Sequence, residues 1–348
     1  MLVIADKYIP FLKGILEPYA EVRYLEPDEI TPESVRDADA LLVRTRTRCN
    51  AALLEGSRVR FIATATIGYD HIDTAYCESH GIFWTNSPGC NAQGVCDYVE
   101  EALRIVESLK LKVESLKLKV ESIKSEVENA STPTLGIVGV GHVGSLVAKM
   151  AERKGFRVLL NDPPVETEYI QSLQSNPSSK KGNPFVSLDT IVREADIITF
   201  HTPLTKTGAY PTYHLCDEAF LQKCKPGAVI INAARGGIVD EQAALSDRER
   251  VFITDTWENE PDINMHFLRR SFIATYHIAG YTLQGKINAT NLCLDALCRY
   301  FSLPQLQIPA ETLPPQPQTK PGWIGDVDRQ LRQHPELFET LRETYPLR

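Results

Sequence analysis

Positive charge is in short supply in this chain, and the shortage excludes several partners. Lysine and arginine total 37 against 45 aspartate and glutamate, giving a net charge of -8 and a pI near 5.6. Nucleic acid and anionic membrane surfaces both require a basic field, so neither is expected as a partner. Long apolar runs are lacking too, since no stretch approaches the ~20 residues that span a bilayer. The opening MLVIADKYIP puts Asp6 and Lys7 where a secretory signal would carry its apolar core, so a cytoplasmic location is expected. CxxC pairs are missing. The eight cysteines (Cys49, Cys77, Cys90, Cys96, Cys216, Cys224, Cys293, Cys298) form no Cys/His cluster at metal-ligand spacing. They read as reduced, buried thiols, and no metal is expected.

What is present describes a globular protein of more than one core. Hydrophobic residues make up 43% and charged residues 24% of 348 positions, more chain than a single core usually organises. Short apolar runs alternate with helical patterns: LVIAD and a helical stretch, DALLVR and NAALLEG, RFIATATIG and the stretch from Asp70 to His80, GIFWTN and a helix that Asn91 is placed to cap. Strand, helix and strand in repetition imply a parallel sheet covered on both faces. After CDYVEEALRIVES, residues 107–129 carry a near-perfect heptad repeat, with Leu109, Val113, Leu116, Val120, Ile123 and Val127 on one stripe. Such a stripe serves either a long helix lying on its own protein or a self-association seam.

A second α/β unit opens at TLGIVGVG and continues through RVLLND, DIITFHT, AVIINAA, VFITDT and FIATYHI, with a polar surface loop expected from Gln171 to Pro184. A helix from Lys286 to Phe301 would return the chain to the first unit. The end changes character: Leu303 to Pro321 holds six prolines, and a helical period then resumes. This tail reads as an extended arm with a terminal helix for subunit contact.

The second unit begins with a phosphate-binding signature. Gly139, Gly141 and Gly144, with His142 and Val143 among them, follow an apolar strand and open a helix. That context supplies a tight turn, close backbone approach and helix N–H groups facing a pyrophosphate. The next strand ends in Asp162, placed to accept from ribose hydroxyls; Pro163 and Pro164 follow instead of an arginine, which favours NAD over NADP. Thr202, Pro203, Ala233, Ala234 and Asp255 lie at further strand ends and complete the cofactor candidates, with Asp255 a candidate for the nicotinamide amide.

Oxidising an alcohol beside a carboxylate needs a cation, a base and a partner for the base. Arg235 in NAARGGIVD offers a planar fork that suits a carboxylate. His277 in TYHIAGY supplies an imidazole, the side chain whose ordinary pKa suits acid/base work. Glu260 in DTWENEP can orient the imidazole; Glu258 is its rival, and Pro261 fixes the turn after Glu260.

The order GVGHVG, NDPP, FHTPL, NAARGGIVD, DTWENEP and HIAGYT resembles the D-2-hydroxyacid dehydrogenase family, and LLVRTRTRCN, FIATATIGYDHID, NSPGCNAQGV and FETLRETYPLR are similar to its erythronate-4-phosphate dehydrogenase branch. The resemblance implies two doubly wound parallel-sheet domains: a flavodoxin-like substrate domain (1–95 plus 286–301) and a Rossmann NAD domain (96–285) carrying the heptad insert. A C-terminal dimerisation segment (302–348) and a homodimer would complete it. It implies oxidation of 4-phospho-D-erythronate to 3-hydroxy-2-oxo-4-phosphooxybutanoate in pyridoxal phosphate biosynthesis, with Arg235, Glu260 and His277 catalytic. Thr45, Thr66 and Tyr281 would touch this small phosphorylated substrate and Gly280 the cofactor; the alternating Arg44 and Arg46 serve either as phosphate ligands or as a solvent-facing pair. The alternatives are another D-2-hydroxyacid substrate, such as phosphoglycerate or an aliphatic acid, and a non-catalytic NAD-binding scaffold.

Four features depart from the family pattern. The heptad segment replaces a short connection, the stretch from Asp240 to Val251 is shorter by about one helical turn, Tyr276 stands in place of proline, and the tail is abbreviated.

Overall fold

A computed structural model describes residues 1–120, 132–166 and 184–348, with backbone alone for 109–120. The heptad stripe and its self-association therefore fall outside the described side chains, and the expected loop from Gln171 falls outside the described residues up to 183. The chain divides into two compact units. One comprises Met1–Ala92, Tyr281–Gln318 and Leu347–Arg348; the other comprises Gln93–Gly280 and Thr319–Pro346.

In the first unit, β1 (Leu2–Asp6), β2 (Glu21–Leu25), β3 (Ala40–Val43), β4 (Phe61–Thr64) and β5 (Phe83–Thr85) form one parallel sheet ordered β2-β1-β3-β4-β5. Period-two alternation splits β1 between two cores. Val3 and Ala5 pack with Ala289, Cys293, Leu294 and Leu297 of the helix Leu283–Tyr300. Ile4 faces the other way, towards Val35, Leu53, Leu54 and Cys77. Because both faces are covered there, the inner strands β3 and β4 are buried along their whole length.

The helical stretch expected after β1 is not there. Residues 7–20 run in turns, interrupted by Pro10, Pro18 and Gly14 at φ 92, and EVRYL forms edge strand β2. Asn91 does not cap the following helix either. Its Oδ1 is buried without a hydrogen-bond partner among the described residues, and the Ala92 N–H donates to the Gly89 carbonyl instead.

In the second unit, β6 (Thr134–Val138), β7 (Arg157–Asn161), β8 (Ile197–Phe200), β9 (Val229–Asn232), β10 (Val251–Thr254) and β11 (Ile273–Ala274) are all parallel, in the order β11-β10-β9-β8-β6-β7. Successive strands move outward in opposite directions from β6, so the order reverses between β6 and β8. Ligands of such sheets bind beyond the carboxyl ends of the strands at that reversal. Four of the helices beside this sheet are short and start on side-chain caps: Ser187, Asp217, Asp240 and Asn264 each accept from N–H groups of the first turn.

Two of the departures from the family pattern resolve structurally. The shortened stretch still forms a helix, Glu241–Ser246, and the turn after it is closed by Arg250, 8% exposed, which pairs with Asp247 at 3.0 Å and donates to the Cys224 carbonyl at 2.7 Å. The tail is divided between the units. Its helix Trp323–Gln333 covers edge strand β11, where the Ala274 N–H donates to Asp328 at 2.8 Å, and Arg332 donates to the carbonyls of Leu268 and Ser271. An edge that would otherwise invite strand pairing is thereby closed by the chain itself.

Candidate active site

The glycine turn at the end of β6 behaves as its spacing predicts. A Cβ on Gly139 (φ 92) would stand 2.7 Å from the His201 carbonyl carbon, and one on Gly144 would overlap the Gly139 carbonyl oxygen, whereas Gly141 has nothing within 4 Å. Two glycines permit close packing and the third leaves backbone open to a ligand. His142 and Val143 open the helix His142–Arg153, whose cap residue Gly141 supplies no side-chain acceptor. Those first N–H groups suit an anion.

Asp162 reaches back to this turn. Its Oδ2 accepts from the Val140 N–H at 2.7 Å, so the carboxylate is anchored while keeping capacity for ribose hydroxyls. At the end of β8, the Thr202 hydroxyl is buried and has no hydrogen-bond partner among the described residues, a polar group that a bound dinucleotide would satisfy. Pro203 accepts from Thr212 through its carbonyl at 2.6 Å. Past β9, the Ala234 N–H donates to Asn232 at 3.2 Å, and Ala233 is 8% exposed.

Arg235 follows in the same turn. Its Nη1 donates to the Ala234 carbonyl at 2.8 Å, and among the described residues no carboxylate pairs with it. Asn232 Nδ2 donates to the Arg235 carbonyl at 2.9 Å and fixes the backbone. Next to it, a Cβ on Gly236 would run into the Trp257 carbonyl. The missing Cβ lets the arginine turn lie directly on the segment that carries Glu260.

His277 follows β11 with φ 57, in the left-handed region that side chains disfavour. Its Nδ1 lies 2.7 Å from Glu260 Oε2, while Glu260 Oε1 accepts from the Trp257 N–H at 2.9 Å. Burial alone would pull the imidazole pKa down. The charge and hydrogen bond of Glu260 outweigh it, Asp255 adds to them, and the net shift is upward from 6.5. For Glu260, burial pushes upward and is overcome by His277, the Trp257 N–H and Arg342, so the carboxyl sits below its ordinary value. Glu258, the rival, is committed elsewhere: its Oε1 meets His214 Nε2 at 3.0 Å and accepts from the Glu241 N–H at 3.1 Å. His214, Asp240 and Glu258 are the one group of metal-ligating side chains gathered among the described residues, and they satisfy one another.

Asp255 is the candidate whose surroundings differ most from expectation. It is 0% exposed, and its oxygens accept from the Thr275 hydroxyl at 2.6 Å and from the N–H groups of Ile278 and Ala279 at 2.9 Å each. A carboxylate so enclosed has no surface to offer a nicotinamide amide. It folds the turn that presents His277 and leads to Gly280. Tyr276 is 1% exposed and turns away from the imidazole, its hydroxyl donating to Gln330 at 2.8 Å and its ring set edge-on to Tyr345. The bulky residue before the histidine therefore leaves the Glu260 contact intact.

The remaining candidates belong to the first unit. Thr45 and Arg46 are exposed and Arg44 half-buried in the turn after β3, and both arginines lower the pKa of Asp6, which burial raises above its ordinary value. Thr66 donates to the Gly68 carbonyl at 2.9 Å and pairs with Thr64 at 2.7 Å; the Tyr281 ring carries Lys286 Nζ 4.2 Å from its centroid. All eight cysteines are buried, and burial pushes the Cys49 thiol up to about 12, leaving it inert as a nucleophile. Among the described residues, no helix is long and apolar enough to cross a membrane.

A dinucleotide turn at the sheet reversal, a histidine held by a carboxylate and an arginine that no carboxylate among the described residues pairs with mark the class: a nicotinamide-dependent oxidoreductase. Residues 100–279 match the NAD binding domain of D-isomer specific 2-hydroxyacid dehydrogenases, and NAD is the cofactor. The chain belongs to this family, in its erythronate-4-phosphate dehydrogenase branch. It is 43% identical to erythronate-4-phosphate dehydrogenase of Bacteroides fragilis, with 100% of this chain and 97% of that one covered, and 39% identical to that of Porphyromonas gingivalis, with 99% and 92% covered. Among solved structures, D-lactate dehydrogenase of Aquifex aeolicus, complexed with NAD and lactic acid, shares the fold at 24% identity and a TM-score of 0.66, over 87% of this chain and 96% of that one.

Proposed function

We propose that the chain oxidises 4-phospho-D-erythronate to 3-hydroxy-2-oxo-4-phosphooxybutanoate, reducing NAD, as a step of pyridoxine biosynthesis. Glu260 at 2.7 Å from His277 Nδ1 carries the mechanistic part of this reading. With Nδ1–H donated to the carboxylate, Nε2 keeps its lone pair and accepts the proton of the C2 hydroxyl. Arg235 takes the substrate carboxylate bidentately and fixes which face of C2 is presented. NAD held on the glycine turn would supply the hydride acceptor for C2 of the substrate. Gly139, Gly141, His142, Val143, Gly144, Asp162, Thr202, Pro203, Ala233, Ala234 and Gly280 hold the dinucleotide. Asp255 shapes the histidine turn. Thr45, Thr66 and Tyr281 are substrate contacts, and Arg44 and Arg46 recognise the phosphate. The likeness of FETLRETYPLR to the family's dimerisation segment supports a homodimer, and the charged opening residues Asp6 and Lys7 support a cytoplasmic enzyme.

Absorbance of NADH with 4-phospho-D-erythronate, D-3-phosphoglycerate and D-lactate tests the assignment. A clear preference in kcat/KM for the four-carbon phosphorylated acid is expected. Equal rates across the three would reject the substrate, and NAD binding without turnover would favour the scaffold.

A further inference from the structure

We propose that Arg342 is a positioning residue of this active site, delivered by the C-terminal helix Phe338–Glu343 to hold the Glu260 carboxylate against His277. The inference rests on the assignment of His277 as proton acceptor. Arg342 Nη1 donates to Glu260 Oε2 at 3.2 Å, the same oxygen that meets His277 Nδ1 at 2.7 Å. The guanidinium is itself braced. Its Nη2 donates to both carboxylate oxygens of Glu339 at 2.8 and 2.6 Å, its Cζ lies 6.0 Å from the Phe338 ring centroid, and Phe338 is 1% exposed. An arginine anchored at both ends has already lost most of its side-chain freedom and can fix its partner in turn.

The consequence is geometric and electrostatic. Glu260 Oε1 is tied to the Trp257 N–H, so Oε2 decides where the carboxylate plane points. Shared between imidazole and guanidinium, that oxygen cannot swing off the ring. The charged groups facing the imidazole are Glu260, Asp255 and Arg342, with Glu339 behind the arginine. Burial favours the neutral ring, Glu260 and Asp255 favour the charged one, and Arg342 opposes them. Alcohol oxidation requires the neutral ring. Arg342 therefore counters the excess pull of two carboxylates and moves the acid limb of the rate profile downward.

Full-length Arg342→Gln and Arg342→Lys test this by two readouts: the pH dependence of kcat/KM for hydroxyacid oxidation, and titration of the His277 imidazole by NMR, its resonance assigned by loss in His277→Ala. In Arg342→Gln the acid limb and the titration midpoint should both rise by roughly 0.5–1 pH unit. Its kcat/KM at pH 7 should fall about tenfold, with NAD affinity unchanged. Arg342→Lys keeps the charge and should return both midpoints to the wild-type position. Unshifted midpoints in Arg342→Gln, or the same rate defect in both variants without any shift, would overturn the proposal. A wild type without turnover would instead defeat the dehydrogenase assignment, and the NMR titration would still decide the role of Arg342.

Discussion

The turn after β9 and the turn after β11 lie at ends of one sheet and carry the two groups assigned to the substrate, yet they are held in opposite ways. Around Arg235 the chain uses absence. Gly236 removes a Cβ so that the Trp257 carbonyl can close in, and among the described residues no carboxylate claims the guanidinium. Around His277 it uses carboxylates. Asp255 takes three donors of the turn, Glu260 takes the ring nitrogen, and a non-glycine residue is kept at φ 57. A cation that must capture a carboxylate is left without a rival among the described residues. A base that must accept one proton is oriented and tuned beforehand.

Removing the tuned group should break the comparison most severely. His277→Ala deletes the proton acceptor and is expected to lower kcat by ~10³-fold, with NAD affinity within about twofold of wild type because the glycine turn is untouched. Steady-state NADH production and an NAD binding titration check it, and a kcat within tenfold of wild type would remove His277 from the chemistry. Gly236→Ala attacks the other turn. Its new methyl must displace the Trp257 carbonyl, and a shift of ~1 Å in Arg235 should reduce kcat/KM by about 100-fold. The far-ultraviolet circular dichroism spectrum should be unchanged. Retained activity there would mean the arginine turn tolerates displacement that the histidine turn does not.

A smaller effect is expected where a carboxylate supports rather than reacts. Asp255→Asn replaces an acceptor oxygen by an NH2 group facing N–H or O–H donors, which should destabilise by about 2–3 kcal/mol. Urea unfolding followed by tryptophan fluorescence reads the loss. Unchanged stability would show that the turn is held by its strand alone.

Much of this site was legible in the chain because the chemistry sits immediately after strands. GVGHVG, NAARGGIVD and TYHIAGY each announce a strand end followed by a constrained turn, and the parallel two-unit architecture follows from apolar runs alternating with helices. Three things were not legible, for different reasons. Strand β2 is a short edge strand among turns, so EVRYL carries too little apolar signal to separate it from a helix. The role of Asp255 depends on whether the strand-end carboxylate faces solvent or the next turn, and only the fold decides that. Arg342 lies 82 positions from Glu260, in a tail whose helical period indicates a buried face without naming what that face meets.

The smallest expected effect separates tail docking from tail chemistry. Tyr276 and Gln330 join the histidine turn to the same C-terminal segment that carries Arg342, through a hydrogen bond of 2.8 Å. Tyr276→Phe removes that bond but keeps the ring edge-on to Tyr345, with centroids 6.0 Å apart. Gln330 is exposed, so water replaces the lost donor and the loss should stay at or below about 1 kcal/mol, read as a fall of about 2 °C in Tm. The pH profile should not move, because no charge near the imidazole has changed. If Tyr276→Phe shifted the acid limb as far as Arg342→Gln, the shift would report loosened docking of the segment, and the contrast between a passive arginine turn and an actively tuned histidine turn would lose its electrostatic half.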